Sequence, residues 1–541
     1  MKTSTLRVNQ SWQEIFTDPS ATPDFSNKVL PAYLHRMRWF AAKSSAIKRY
    51  NIEQTLPYKM QNGRLTYVIF VEVVFQTSNT ESYLLPITLA KNPEDDISVI
   101  CEIKDPTKKS MGFLVDAIYT KGFRNDIYQK ILTGKKVKLN VGEFHFSKGK
   151  TLKAPSNINK IESKVLKLEQ SNSTILYEGK YFLKIYRKLF RDNNPDLELT
   201  RFLSEKTKFK NSPKFAGGIE WVREDYYRMS IGLMQEKVEN QGEAWNNTLS
   251  SIESFFEKVD LNNVPLSDIP KFDLYKPIET GDISHAFREL VGDEFLDKVA
   301  LLATRTAEMH IALFSEKTDR HFTPETFNSD YTVWLLNRVM YMFDSRFHLL
   351  EQTINKLSGV AREYAEYIID NKDDIKNRIL NFDELSLNSS RIRIHGDYHL
   401  GQVLITGSDF CILDFEGEPE STIRDRKVKQ PPLKDLAGLF RSYHYATYAT
   451  VFNSLDGNLD LETAMEVGGR LYRAIVGLSL HHYVKTAMEN GLNIGYQKEI
   501  DFLLRYHIFE KAIYELGYEL HSRPDWVIIP LKGIIQILKN D

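Results

Sequence analysis

Cysteine is nearly absent from this 541-residue chain, which carries only Cys101 and Cys411. Two thiols exclude a disulfide framework and fit a reducing, cytoplasmic setting. No charge of one sign dominates: 71 Lys and Arg against 72 Asp and Glu leave a formal net charge of -1. That balance removes any broad electrostatic draw toward nucleic acid or an acidic membrane surface. Long apolar runs are missing too. The run 68–75 is interrupted by Glu72 and falls far short of the roughly 20 apolar residues that span a bilayer. The start, MKTSTLRVNQ, has no apolar signal segment. Internal repeats and low-complexity tracts are also absent. What remains, 42% hydrophobic and 26% charged residues, is the composition of a globular chain of about two to four domains.

The chemistry-bearing residues concentrate between 391 and 427. The alternating run 391–394 predicts a strand. His395-Gly396-Asp397 follows, where Gly396 permits a sharp turn. Gln402 lies five residues beyond Asp397. A second apolar run, 410–413, predicts another strand and closes on Asp414-Phe415-Glu416. Strand, loop with an Asp and an amide, strand, acidic cluster is the order used by protein-kinase-like phosphotransferases. In that order Asp397 orients and deprotonates the acceptor hydroxyl. Gln402 and Asp414 hold magnesium on the nucleotide phosphates, with Glu416 as a further ligand or a support for one. Magnesium wants oxygen ligands in near-octahedral geometry, and two ligands from adjacent strand ends reach one ion. Gln402 stands where the kinase pattern has Asn, with the same amide oxygen on one more methylene. His395 and His399 have the i, i+4 spacing of a helical zinc site, but Gly396 and the flanking strands argue against a helix there.

The segment HGDYHLGQV…DFEGEP…RK resembles the bacterial maltokinases, including the kinase domain fused behind trehalose synthase, in the aminoglycoside phosphotransferase and protein-kinase-like superfamily. Gln402 in place of Asn, and Glu416-Gly417-Glu418-Pro419 after Asp414, separate those enzymes from aminoglycoside and choline kinases. The resemblance covers about residues 27 to 534. It implies an α+β, bilobal eukaryotic protein-kinase-like fold. A β-rich N-terminal cap would occupy 1–112, the rest of the N-lobe with its hinge 113–238, and a mainly α-helical C-lobe with the catalytic and sugar sites 239–541. It implies ATP and magnesium as cofactors, and transfer of the γ-phosphate to the anomeric hydroxyl of maltose, giving maltose 1-phosphate for glycogen and trehalose metabolism. It further implies association or fusion with trehalose synthase, and no nucleic-acid or membrane partner.

Along the chain, a helix is expected over 27–40 and a strand meander over 64–77 and 82–89. Arg38-Trp39-Phe40 and Lys43 resemble the family's cap, with Ala41 where the family has Gly. Residues 114–119 are expected to open a helix. Gly149-Lys150-Thr151 is not a phosphate loop, because the motif needs Gly where Phe144 stands. Residues 169–174 sit between two strands, and the resemblance makes them the phosphate-covering hairpin, with Ser171, Asn172 and Ser173 contacting the nucleotide. It also makes Lys184 the lysine of the α and β phosphates, Glu198 its partner on a helix near Pro195, and Gln235, Glu236 and Lys237 the hinge strand at the adenine. Helices dominate from about residue 240. His310 reads as structural.

Near the C-terminus Lys511, Tyr514, Glu515, Tyr518 and Glu519 fall on one helix face. That face suits a sugar or a solvated surface with Lys511–Glu515 pairing. The resemblance assigns Lys511, Tyr514 and Tyr518, with His399, to maltose; Gly517 departs from the family, where a side chain is expected. Two rivals stay open. One is a kinase for glucosamine or an aminoglycoside, whose ammonium group would use Glu515, Glu519 or Glu416. The other is a carbohydrate-binding pseudokinase, against which Asp397, Gln402, Asp414 and Lys184 together stand.

Overall fold

A computed structural model describes the chain except residues 1–3, 19–21, 78, 156, 158–160, 168–170, 224–226, 454–458 and 540–541. The chain forms two compact units. The first contains residues 1–206 and 213–238, and the second 207–212 and 239–541. Among the described residues no helix is long and apolar enough to cross a membrane.

The first unit holds two seven-stranded sheets. The cap sheet is built on the expected meander: Ile47–Lys59, Leu65–Phe75 and Thr80–Ala90 pair antiparallel in sequence order. Leu65–Phe75 is apolar almost throughout because both its faces are covered. Ile69, Val71 and Val73 point into the cap's own core. Val68 and Phe70 point into a core shared with the second sheet. A strand buried on both faces reads as a continuous apolar run rather than an alternating one. Glu72, the interruption, accepts a hydrogen bond from Asn51 at 2.8 Å.

Two expected helices differ. The helix over 27–40 is shorter and irregular, a π-turn Phe25–Val29 running into Leu30–Leu34. Residues 114–119 do not open a helix. Leu114 and Val115 belong to the cap strand Ser110–Asp116, paired with Leu89 and Thr88. Asp116 stays extended, its carboxylate capping the backbone of Ile118, and the helix begins only at Lys121. The cap sheet therefore runs past residue 112.

The second sheet, antiparallel throughout, contains Glu143–Lys148, Phe215–Val222, Arg228–Glu236, Tyr181–Tyr186 and Asn172–Tyr177. Gly149-Lys150-Thr151 follows its strand into a turn, where Thr151 bonds the Phe215 carbonyl at 3.1 Å.

The second unit is helical, as expected. Its principal helices are Ala244–Leu261, Asp293–Phe314, Ser329–Thr353, Leu433–Asn453, Leu461–Glu489 and Gln497–Ser522. The expected strand over 391–394 shrinks to Ser390–Arg391, with a single bridge from Ile392 to Gln430. The next N–H groups, of His395 and Gly396, go to a side chain instead of a strand.

Candidate active site

A short hairpin, Val403–Thr406 against Asp409–Ile412, positions the amide and the second acid. Gln402 enters the first strand and Asp414 follows the second. The ladder closes at its open end through Leu413 N–H to the Gln402 carbonyl, 2.8 Å. The two side chains are thereby brought together, Gln402 Nε2 lying 3.3 Å from Asp414 Oδ2. Asp414 has φ +62, a left-handed conformation that non-glycine residues hold only when their surroundings fix it, often at functional sites. Carboxylate oxygens of Asp414 and Glu416 lie within 4.8 Å of each other. An amide and two carboxylates form a hard-oxygen donor set that fits magnesium.

The loop carrying Asp397 is held from below. His395 donates from Nε2 to the Leu413 carbonyl at 2.7 Å, tying the loop to the hairpin's end. Its Nδ1 faces the Asp397 N–H at 3.4 Å. The Asp435 carboxylate takes the N–H groups of His395 and Gly396 at 2.7 and 2.8 Å. His310 braces Asp435 at 3.0 Å and itself meets the Tyr483 hydroxyl at 2.8 Å, the structural role expected of it. Burial works to raise the Asp435 carboxyl, but the hydrogen bond from His310 and the loop N–H groups hold it below its ordinary value. Asp435 is a residue that sequence reasoning missed; its only signal is an Asp inside the apolar helix start LKDLAG. Gly396, at φ +85, passes so close to the acidic loop that a Cβ there would lie 3.3 Å from Gly417 Cα. His395 and His399 do not share a helix. His399 caps a turn, its Nδ1 accepting from Gly401 at 3.1 Å, and burial lowers its pKa.

Lys511 reaches across from the helix Gln497–Ser522 to Asp397, Nζ to Oδ1, at 3.1 Å, with Glu418 at 3.9 Å. Burial raises the Asp397 carboxyl, yet the Lys511 charge and nearby histidines outweigh it and keep the group below 3.8. The i, i+4 pairing of Lys511 with Glu515 is replaced by longer-range contacts, with Glu515 bound to the buried Arg441 at 2.6 Å. Glu519 takes Tyr445 and Arg523. Tyr514 lies 4.6 Å from the Lys511 ammonium and lines a small cavity with Asp397. Tyr518 is 45% exposed, under the Arg523 guanidinium, and does not line that cavity. Gly517 has a packing reason: a Cβ there would fall 2.1 Å from Arg346 Cδ, and Arg346 crosses it to reach Glu420.

In the first unit, Lys184 donates to Asp196 at 3.0 Å. Asp196 is buried, and the expected partner, Glu198, lies two residues later on the same helix Pro195–Lys206. Glu169 and Gln170 lie outside the described residues. Asn172 and Ser173 belong to a strand rather than a hairpin tip. The Ser173 hydroxyl accepts from Arg187 at 2.7 Å, so it is already engaged, while Ser171 immediately precedes the strand. Gln235 and Glu236 end the strand Arg228–Glu236. Glu236 and Lys237 give their N–H groups to the Lys214 and Lys180 carbonyls, which narrows any contact with a purine to their carbonyls and side chains.

Residues 33–119 match the maltokinase N-terminal cap domain family. A glucosamine kinase of Streptacidiphilus jiangxiensis is 28% identical over 168 residues, 31% of this chain and 34% of that one. The chain thus spans about a third of the length of that curated relative. A solved glucosamine kinase in complex with glucosamine, ADP and inorganic phosphate shares the fold with TM-score 0.60 at 14% identity, covering 98% of this chain and 100% of the other. A second crystal form of glucosamine kinase gives TM-score 0.61 at 14% identity over 95% and 99%. Residues 33–119 thus form a maltokinase-type N-terminal cap, and the chain as a whole shares its fold with the solved glucosamine kinases.

Proposed function

We propose that the chain is an ATP-dependent sugar kinase, and that its acceptor is the anomeric hydroxyl of maltose. The observation that carries the kinase reading is the pairing of Gln402 with Asp414 beside a loop that presents Asp397. Asp397 orients the sugar hydroxyl and takes its proton. Lys511 neutralises that carboxylate before sugar arrives. Gln402, Asp414 and Glu416 are the residues that would hold magnesium. Lys184, set by Asp196, with Ser171, Asn172 and the 235–237 segment, would hold the nucleotide. Bound magnesium-nucleotide supplies the transferable phosphoryl group and the charge that steadies it.

Two features favour a neutral disaccharide over an aminosugar. An ammonium group needs a carboxylate, and those on the Lys511 side are already paired. Glu418 is held by Arg338 and Lys511, Glu510 by Arg338 and Lys434, Glu515 by Arg441 and Glu519 by Arg523. The helix also presents Tyr514 at the cavity and Tyr518 one turn further toward solvent, which gives a second ring a surface of its own, with His399 on the opposite, loop side. The cap family points the same way.

The test is a panel of maltose, glucose, glucosamine and an aminoglycoside with ATP and magnesium, the phosphate position being read by NMR. Maltose 1-phosphate is the expected main product. Asp397→Asn should cut kcat by roughly 10²–10⁴ in a folded protein. Preferential turnover of glucosamine would replace the substrate assignment, and absence of any ATP-dependent phosphorylation would remove the kinase reading.

A further inference from the structure

Behind Asp397 lies a cavity of about 20 Å³, lined by Asp397, Gly438, His507, Glu510, Lys511 and Tyr514 among others. That is room for about one water molecule. His507 is 1% exposed. Its Nδ1 is 2.8 Å from Glu510 Oε2. Glu510 is an ionised carboxylate: burial pushes it up, but Lys434, His507 and Arg338 hold it well below its ordinary value. The imidazole therefore donates from Nδ1, and its other nitrogen carries a lone pair. That nitrogen, Nε2, is buried and has no hydrogen-bond partner among the described residues. A buried polar atom left unpaired is costly, and His507 lines the same cavity as Asp397 and Lys511, so an O–H donor placed there would satisfy it.

We propose that this cavity holds a water molecule joining Asp397 to the His507–Glu510 pair, and that this pair receives the proton taken from the sugar. The step rests on the kinase reading given above. Asp397 removes the hydroxyl proton as the oxygen bonds to phosphorus. The protonated carboxyl gives that proton to the water, which passes one of its own to His507 Nε2. The imidazolium formed is balanced by Glu510, and Asp397 is again a carboxylate for the next turnover. No electrons change hands, and the imidazolium returns its proton to solvent before the next turnover.

The charges facing His507 are Glu510 and Lys511 on its own helix, Lys434 and Asp435 on Leu433–Asn453, Arg338 on Ser329–Thr353, and Asp397 and Glu418 from the loops. Burial, with the positive charge of Lys434 and Arg338, holds the imidazole pKa below 6.5 against the pull of Glu510. It is therefore neutral and able to accept at neutral pH, and it loses that capacity as pH falls through its pKa.

His507→Gln tests the relay, because glutamine can bond the water but cannot take its proton. The expected result is a kcat lowered about tenfold or more, with KM for ATP and sugar and the melting temperature near wild type, and loss of the His507 step from the acid limb of kcat. A merely structural histidine would leave that limb in place. If His507→Gln does not fold, His507→Asn, whose amide can keep the Glu510 bond, serves with the same expectation. Wild-type kcat and an unmoved acid limb in a folded variant overturn the relay while leaving the kinase reading intact. A wild-type protein without kinase activity overturns the kinase reading itself.

Discussion

The ammonium of Lys511 sits 3.1 Å from the carboxylate proposed to do the chemistry, and this fixes how that residue responds to pH. Asp397 has a lowered pKa because of Lys511 and in spite of burial. Removing the charge in Lys511→Met leaves burial opposed only by the nearby histidines, so the carboxyl protonates at higher pH. The acid limb of kcat/KM should then move upward, and a profile measured from pH 4 to 8 that keeps its wild-type limb would show that Lys511 does not act on Asp397. That Gln402 and Asp414 come together was legible from spacing, because a hairpin of two four-residue strands converts their sequence interval directly into distance. Asp435, His507 and Asp196 were not. Asp435 acts through contacts that helical packing makes across 40 residues, and His507 shares a cavity with Asp397, 110 residues away. Asp196 sits two positions before Glu198 on the same helix, and the spacing alone does not mark it as a contact of Lys184.

The helix Leu433–Asn453 is the element on which the loop carrying Asp397 rests. Asp435 grips the loop's N–H groups, and one turn on, Gly438 lies under the Tyr398 carbonyl, where a Cβ would come within 2.6 Å. The obstacle is backbone, so Gly438→Ala must push helix and loop apart. The expected cost is about 1–3 kcal/mol, exceeding the gain of up to about 1 kcal/mol that Ala brings to a helix. Because Asp435 moves with the helix, kcat should fall as well. A melting curve and kinetics on the same preparation check both, and a stabilised, fully active variant would contradict the close approach. Long helices and the meander were readable from periodicity and β-branched content. The short strand at 390–391 and the strand ending at Asp116 were not, since in each case one buried Asp, Asp435 or Asp116, redirects the backbone at a point that local pattern does not mark.

At the scale of the molecule, the cap is not a detachable module. One face of its sheet, with Leu56, Tyr58, Val68, Phe70 and Leu84, shares a core with Phe144, Ile185 and Trp221 of the second sheet and with Ile131 of the helix Lys121–Thr133. The chain also crosses between the sheets: after Tyr181–Tyr186 in one, Lys188–Leu189 pairs with Tyr83 and Ser82 in the other. Arg187 stands at that crossing, wholly buried. It donates to Asp116 at 2.5 Å, to the Leu84 carbonyl at 3.3 Å and to Ser173 at 2.7 Å, and its guanidinium lies over Trp39 at 4.5 Å. Trp39 and Asp116 come from the cap, so the Arg-Trp-Phe pattern has a packing role that composition did not reveal, because its partner is almost 150 residues away. Arg187→Met leaves Asp116 buried with its charge uncompensated, which should cost about 3–5 kcal/mol. A chain beginning at residue 120 should do worse, since it exposes the shared apolar face and strands Arg187 without Asp116. It is expected to be insoluble or to lack a cooperative melt, as scanning calorimetry and size-exclusion chromatography would show. A soluble 120–541 protein with a sharp transition would mean that the second sheet covers its own core, and that the crossing at Arg187 joins two folding units rather than completing one.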